Sequence, residues 1–179
     1  DTDKAVEFYD QALVLDPSFA LAFAGLSRVH QTRAGFGFSG IDEGFRLARE
    51  AAERARELDP GLADAHLALG LIAELHDWNW TAADASFQRA LELAPGDARV
   101  VNAAAGLERV LGRVDRALEL TGRAIALDPL SAPARRQAGL VYVIADRLDD
   151  AVASFKRALD LSPGSGLNHA FLAITELLR

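Results

Sequence analysis

Two stretches decide the fold: Ala83-Asp84-Ala85-Ser86-Phe87-Gln88-Arg89-Ala90-Leu91-Glu92-Leu93-Ala94-Pro95 and Ala151-Val152-Ala153-Ser154-Phe155-Lys156-Arg157-Ala158-Leu159-Asp160-Leu161-Ser162-Pro163. In each, Ala, Phe and Ala recur at steps of four and three, which places them on one face of a helix. The proline that follows stops that helix, because it lacks an N–H donor and its ring collides with the preceding turn. Outward from these stretches the pattern persists. Prolines recur in phase at Pro17, Pro60, Pro95, Pro129 and Pro163, the first interval being the longest and the other three nearly equal. Five residues before each stands an alanine (Ala12, Ala55, Ala90, Ala124, Ala158), and seven before that another (Ala5, Ala48, Ala83, Ala117, Ala151). Each interval reads as helix, turn, helix. No stretch sustains the period-two alternation of a strand.

The 179 residues carry 19 Lys+Arg against 26 Asp+Glu, a formal net charge of -7. Half are hydrophobic and a quarter charged, a globular mixture. The acidic balance argues against direct nucleic-acid binding, which needs a surplus of cations along one face. With no cysteine, disulfides, zinc fingers and thiol nucleophiles are excluded. No apolar run approaches the ~20 residues of a membrane span, so a cytoplasmic location is expected. The cations are 17 Arg and two Lys, and no Met is present. A chain without an initiator is expected to be a piece of a longer protein.

These residues resemble tetratricopeptide repeats, whose pattern is W-x2-L-G-x2-Y, then A-x3-F-x2-A, then P. The unit ending at Pro95 offers His66, Leu69-Gly70 and Ala73, then Ala83, Phe87 and Ala90. The unit ending at Pro163 offers Arg135, Ala138-Gly139 and Tyr142, then Ala151, Phe155 and Ala158. The unit ending at Pro129 is looser, with Val101, Ala104-Ala105, Glu108 and Thr121; the first full unit shows Phe23, Leu26-Ser27 and His30. The resemblance implies an all-α fold, a right-handed α-solenoid of stacked antiparallel helix pairs. Residues 1–179 then form a single array: a half repeat at 2–17, repeats at 18–60, 61–95, 96–129 and 130–163, and a terminal helix at 164–179. Ser18, Asp97, Ser131 and Ser165 are placed to cap first helices, and Thr81 with Asp84 forms a capping-box pattern. Gly70, Gly139, Ala105 and Ser27 are small enough to let paired helices approach closely. Phe87, Phe155 and Tyr9 are expected to fill the space between neighbouring pairs.

Two places depart from the pattern. The long first interval holds an insertion at 35–44, centred on Gly35-Phe36-Gly37-Phe38-Ser39-Gly40-Ile41. Its three glycines match GxGxxG, but a dinucleotide site needs a strand leading into the turn, and a helix precedes it here. A connecting loop is expected, with Phe36 and Phe38 tucked under neighbouring helices, exposure to a partner being the other outcome. His76-Asp77-Trp78-Asn79-Trp80 is one residue longer than the usual turn. Its tryptophans are expected to bury, or to anchor an interface. A long first unit with such a turn is similar, more loosely, to the tetratricopeptide regions of bacterial nucleotide cyclases and winged-helix regulators.

No catalytic constellation emerges, and neither a cofactor nor a metal site is expected. His30, His66, His76 and His169 lack ligand spacing; three of them stand at aromatic positions of the repeat and read as core or groove wall. Gly164-Ser165-Gly166 is an inter-repeat turn, not a nucleophile elbow. Asp149-Asp150 suits the first turn of a helix. Arg46, Glu50 and Arg54, with Arg49 and Glu53, read as i,i+4 solvation of a helix face.

By the resemblance, protein or peptide segments lie along a concave wall made by first helices. The inner-facing positions are Ala24, Arg28 and Gln31; Asp64, Leu67, Leu71 and Glu74; Arg99, Asn102, Gly106 and Arg109; Arg136, Leu140 and Val143; Ala170 and Ile174. The expected activity is that of a protein-interaction scaffold in a bacterial regulatory protein. Arg99, Asn102, Arg109 and Arg136 are expected to grip an acidic segment through planar guanidinium forks. The groove holds no Lys, unlike the chaperone-binding subfamily. The alternative is self-association through the apolar terminal helix, with Ile174 at the interface, controlling an attached domain.

Overall fold

The computed structural model describes residues 2–179, and these form ten helices with no strand. They are α1 (Thr2–Leu15), α2 (Ala20–Gly35), α3 (Ile41–Leu58), α4 (Ala63–Leu75), α5 (Trp80–Leu93), α6 (Ala98–Val110), α7 (Val114–Leu127), α8 (Ala132–Ile144), α9 (Leu148–Leu161) and α10 (Gly166–Leu178). Short turns fold α2–α3, α4–α5, α6–α7 and α8–α9 into hairpins. The chain divides into two compact units, Asp1–Ala94 and Pro95–Arg179, which are described in turn.

Every second helix ends the same way, in both units. The amide before the proline donates to the carbonyl of the marking alanine: Asp16 to Ala12 (2.8 Å), Asp59 to Ala55 and Ala94 to Ala90 (2.9 Å), Asp128 to Ala124 and Ser162 to Ala158 (3.0 Å). That bond closes the last turn, and the proline prevents another. The same alanines, from Ala55 onward, are fully buried. Their small size is therefore what lets neighbouring helices lie close.

In the first unit, Ala34, Phe45, Ala48, Ala52, Ala68, Leu69 and Ile72 form one apolar cluster joining α2, α3 and α4. Ala24, Ala55 and Ala65 form a second, against Phe23 and Leu62. Phe87 of α5 lies over Gly70 of α4 within one hairpin, where a Cβ on the glycine would stand 2.5 Å from the ring. The second unit repeats the device, with Phe155 of α9 over Gly139 of α8. Phe155 also stacks on Phe171 of α10, centroids 5.7 Å apart. Burying such a ring contributes about 1.5–3 kcal/mol.

The insertion does not form the loop expected at 35–44. Instead α2 runs to 16 residues and α3 to 18, against 13 or 14 in the other helices, and only residues 36–40 connect them. Asp42 and Glu43 sit in the first turn of α3, where carboxylates offset the positive end of the helix dipole. Gly44 lets the added turn close on α2, since a Cβ there would stand 2.7 Å from Cβ of Ala34.

Two capping assignments need correction. Ser18 does not cap α2; its amide and hydroxyl both donate to Asp16 Oδ1, at 2.9 and 2.6 Å, within the turn. Helix α5 opens one residue before Thr81, and Asn79 caps it by accepting the Ala82 amide at 3.1 Å. Asp97, Ser131 and Ser165 cap α6, α8 and α10 as expected.

Three hairpin turns share a Schellman geometry with a left-handed residue at the corner: Gly37 (φ 74°), Gly112 (φ 72°) and Asp146 (φ 56°). In each the following amide reaches back five residues, Phe38 to Arg33, Arg113 to Glu108 and Arg147 to Tyr142. The paired side chains close two of these corners. Arg113 meets Glu108 at 3.3 Å, and Arg147 lies over the Tyr142 ring, 4.6 Å from its centroid. In the turn at Gly37 the partner, Arg33, is drawn instead to Asp3.

Candidate functional site

In the second unit the first helices α6, α8 and α10 carry the expected groove positions. Arg99 is exposed, and its guanidinium returns to the cap of its own helix, Nη2 to Asp97 Oδ2 at 2.6 Å. Burial works to raise the Asp97 carboxyl, but its bonds from Arg99 and from backbone amides outweigh this and hold it below its ordinary value. Asn102 and Arg109 are half-buried on α6. The Asn102 Oδ1 is enclosed without a hydrogen-bond partner.

Arg136 of α8 is half-buried, and burial pulls its guanidinium below the usual range. It reaches Asn168 Oδ1 of α10 at 3.5 Å, a neutral partner. No carboxylate partners it among the described residues. Leu140 and Val143 continue the α8 face, both half-buried, while Ala170 and Ile174 of α10 are exposed.

Two polar groups here were not anticipated. Gln137 is buried with Nε2 lacking a partner, and its amide lies beside Gly106 of α6, where a Cβ would sit 3.8 Å away. Asn168 is fully buried; it donates Nδ2 to the Ala158 carbonyl at 3.4 Å. The signal for Asn168 lay in the repeat itself. Ala134 and Val100 stand at the same phase one and two repeats earlier, so a polar residue there breaks a small apolar series.

In the first unit the expected wall is only partly available. Arg28 is exposed and approaches the Tyr9 hydroxyl at 3.5 Å. Asp64, Leu71 and Glu74 are half-buried. Gln31 and Leu67 are buried and are not groove-lining side chains. Gln31 instead ties α2 to α4, donating to Ser27 Oγ at 3.1 Å and to the Ala68 carbonyl at 3.3 Å. Leu67 is taken up by packing, because α4 is apolar nearly all round.

The hairpin turns of the first unit form a second surface. Phe36 (69% exposed) and Phe38 (66%) do not tuck under neighbours; their rings lie 6.5 Å apart in solvent. Trp78 does not bury either: it is 70% exposed and holds a left-handed φ of 54°. Trp80 is half-buried and meets Trp78 edge-on at 5.7 Å. The longer turn arises because the Asn79 amide reaches the Ala73 carbonyl, six residues back, at 2.9 Å.

That turn is bolted to α3. His76 stacks on Phe45, centroids 4.7 Å apart, and its ring nitrogens approach Asp77 Oδ1 (3.0 Å) and Asp42 Oδ1 (3.4 Å). Arg49 Nη2 donates to both Asp77 oxygens at 2.7 Å, so it is a cross-link between elements and not i,i+4 solvation with Glu53. The Asp77 bond raises the His76 imidazole above its ordinary value. For Asp77 itself burial works upward, and the bonds from His76 and Arg49 prevail and lower it.

The other histidines divide. His66 and His169 each meet the carbonyl of the proline six residues back, Pro60 and Pro163, at 2.9 and 3.0 Å. They clasp turns; His169 is exposed rather than core. His30 is half-buried, and desolvation lowers its value. Among the described residues no three His, Asp or Glu side chains are placed to hold a metal ion, and no helix is long and apolar enough to cross a membrane.

A family model described as tetratricopeptide repeat matches residues 42–98 and 102–166. No curated protein sequence matches. Among solved structures, the human IFIT1 dimer with m7Gppp-AAAA is similar, with a TM-score of 0.85 and 21% identity over 98% of this chain. The chain spans 42% of the IFIT1 length. TTC0263, a thermophilic TPR protein of Thermus thermophilus, has a TM-score of 0.73 and 22% identity, covering 98% of this chain and 91% of its own. YrrB, a TPR protein with an unusual peptide-binding site, has a TM-score of 0.61 and 26% identity, covering 94% and 82%. For IFIT1 and TTC0263, at such low identity, the likeness is one of fold.

Proposed function

Because the chain belongs to the tetratricopeptide-repeat family, we propose that it is a non-catalytic recognition module of a bacterial regulatory protein, and that the first-helix wall of its second unit binds an acidic protein segment. One observation carries this reading: Arg136 is a half-buried guanidinium whose described partner, Asn168, is neutral. Withdrawing a cation from water without a counter-charge is costly. An incoming carboxylate repays that cost and gains a charge-assisted bond.

The test is a displayed random-peptide library selected on the full chain and on a variant with Arg99, Asn102 and Arg136 all changed to Ala. Peptides retained by the first and lost by the second should be rich in Asp and Glu. Equal recovery on both would end the reading. Guanidinium groups also suit phosphates, so the oligonucleotide m7Gppp-AAAA forms a second arm; its binding, abolished by the same variant, would replace the peptide with RNA.

A second reading is self-association through α10, favoured by the exposure of Leu167, Ile174 and Leu177. Sedimentation of the chain over a hundredfold range of concentration tests it, and Ile174→Glu with Leu177→Glu should return any dimer to monomer.

A further inference from the structure

The edge of the first unit formed by its hairpin turns is rich in exposed aromatic side chains. Phe36, Phe38, Ile41 and Trp78 are all strongly exposed, the least of them Ile41 at 62%. The two turns belong to one edge, since the start of α3 is joined to the His76-Asp77 turn by the Asp42–His76 contact and the Arg49–Asp77 pair. Isolated exposed apolar side chains are ordinary, but several large ones gathered at one edge mark a surface that is covered in use. Trp78 strengthens the case: a bulky residue held at positive φ costs strain, and here that strain is not repaid by burial.

The charges beside these rings select the occupant. A cleft along α3 is lined by Asp42, Glu50, Glu53 and Asp77 against Arg46, Arg49 and the titratable His76, so carboxylates outnumber cations there even with the imidazole protonated. Both arginines are already engaged, Arg46 by Glu43 and Glu50, and Arg49 by both oxygens of Asp77. Asp42 is fully exposed and Glu53 has no ion-pair partner among the described residues. The surplus at this edge is therefore negative, and the exposed ring faces are themselves attractive to cations.

We propose that this edge docks a basic, amphipathic protein segment, whose apolar side chains cover Phe36, Phe38 and Trp78 while its Arg or Lys side chains meet Asp42 and Glu53. A second copy of this chain fits less well, because it would bring its own acidic edge. An anionic membrane is disfavoured by the same carboxylates. The surface acts independently of the second unit's wall, so one chain presents an anion-seeking face and a cation-seeking face.

The experiment uses the same displayed library, selected on the full chain and on a Phe36→Ser, Phe38→Ser, Trp78→Gly variant. All three residues are exposed, and an unchanged far-ultraviolet spectrum verifies the variant's fold. Peptides lost on this variant should combine Arg or Lys with aliphatic or aromatic residues, and the Arg99, Asn102, Arg136 triple alanine variant should retain them. The only tryptophans of the chain, Trp78 and Trp80, lie at this edge, so a synthesised selected peptide should shift their emission and shield them from acrylamide. Its affinity should fall at least tenfold on the aromatic variant and about threefold to tenfold on Asp42→Asn with Glu53→Gln. No sequence lost on the aromatic variant, acidic sequences in place of basic ones, or tryptophan shielding by self-association or by anionic vesicles alone would overturn the proposal.

Discussion

Gly70 and Phe87 are in such close register that a single added carbon on the glycine would stand 2.5 Å from the phenyl ring. The ring is fully buried and has nowhere to retreat. Gly70→Ala should therefore destabilise the chain by about 1–3 kcal/mol through overpacking. Gly122, inside α7, has no neighbour within 4 Å of the same atom. Gly122→Ala should stabilise by about 0.5–1 kcal/mol through helix propensity. Urea titrations of the two variants check opposite signs for one chemical change.

Asn79, not Thr81, accepts the free amide at the head of α5. Asn79→Ala should cost about 0.5–2 kcal/mol, the ordinary worth of an N-cap. Thr81→Ala should lie within about 0.5 kcal/mol of the parent, as exposed substitutions do. Thermal melts of both rank them, and a larger loss at Thr81 would restore the capping box read from sequence.

The Arg49–Asp77 pair joins two elements, whereas Arg54–Glu57 lies along one exposed helix face. A double-mutant cycle on the first pair should give a coupling of about 0.5–1 kcal/mol, and on the second close to zero. Arg49→Lys should recover only part of the coupling, because an ammonium is a point charge without the planar fork.

His76 brings a pH dependence whose direction follows from its neighbours. Its bond to Asp77, with a smaller contribution from Asp42, raises the imidazole above its ordinary value of 6.5; the Phe45 ring stacks on it, and Arg46, Arg49, Glu50 and Glu53 line the same cleft. A group bound more tightly to its proton when folded stabilises fully below the unfolded value. That contribution fades as pH rises through the folded value. His76→Gln should melt furthest below the parent at pH values under about 6.5, and the gap should narrow as pH rises, its pH-dependent part being about 0.5 kcal/mol because the ring is partly solvated. A gap that widens with pH would reverse the assignment.

The helices and their ends were legible because the alanines and prolines do local work. Each marking alanine accepts the bond that ends its own helix, and that requirement is written within five residues. What lay beyond sequence was decided at longer range. The Gly-rich stretch at 35–40 reads as a loop, yet how much of the insertion became helix depended on Gly44 meeting Ala34 across the hairpin. Phe36 and Phe38 carry no mark distinguishing a covered aromatic from an open one. Leu67 and Gln31 occupy the right phase of their helices for a groove, but α2 and α4 come close enough to bury them. Arg99 is in the predicted place, and its guanidinium turns back to Asp97, the cap of its own helix.

Each hairpin closes itself with a terminal alanine bond, a corner and, in two cases, a glycine beneath a ring. The junction Pro129-Leu130 shows the result. Tandem copying of residues 130–163 would join Pro163 to Leu130 and recreate the same Pro-Leu seam without a new sequence being invented. Architecture of this kind lengthens by duplication while each added segment remains free to drift in what it recognises, so novelty in binding need not wait on novelty in folding.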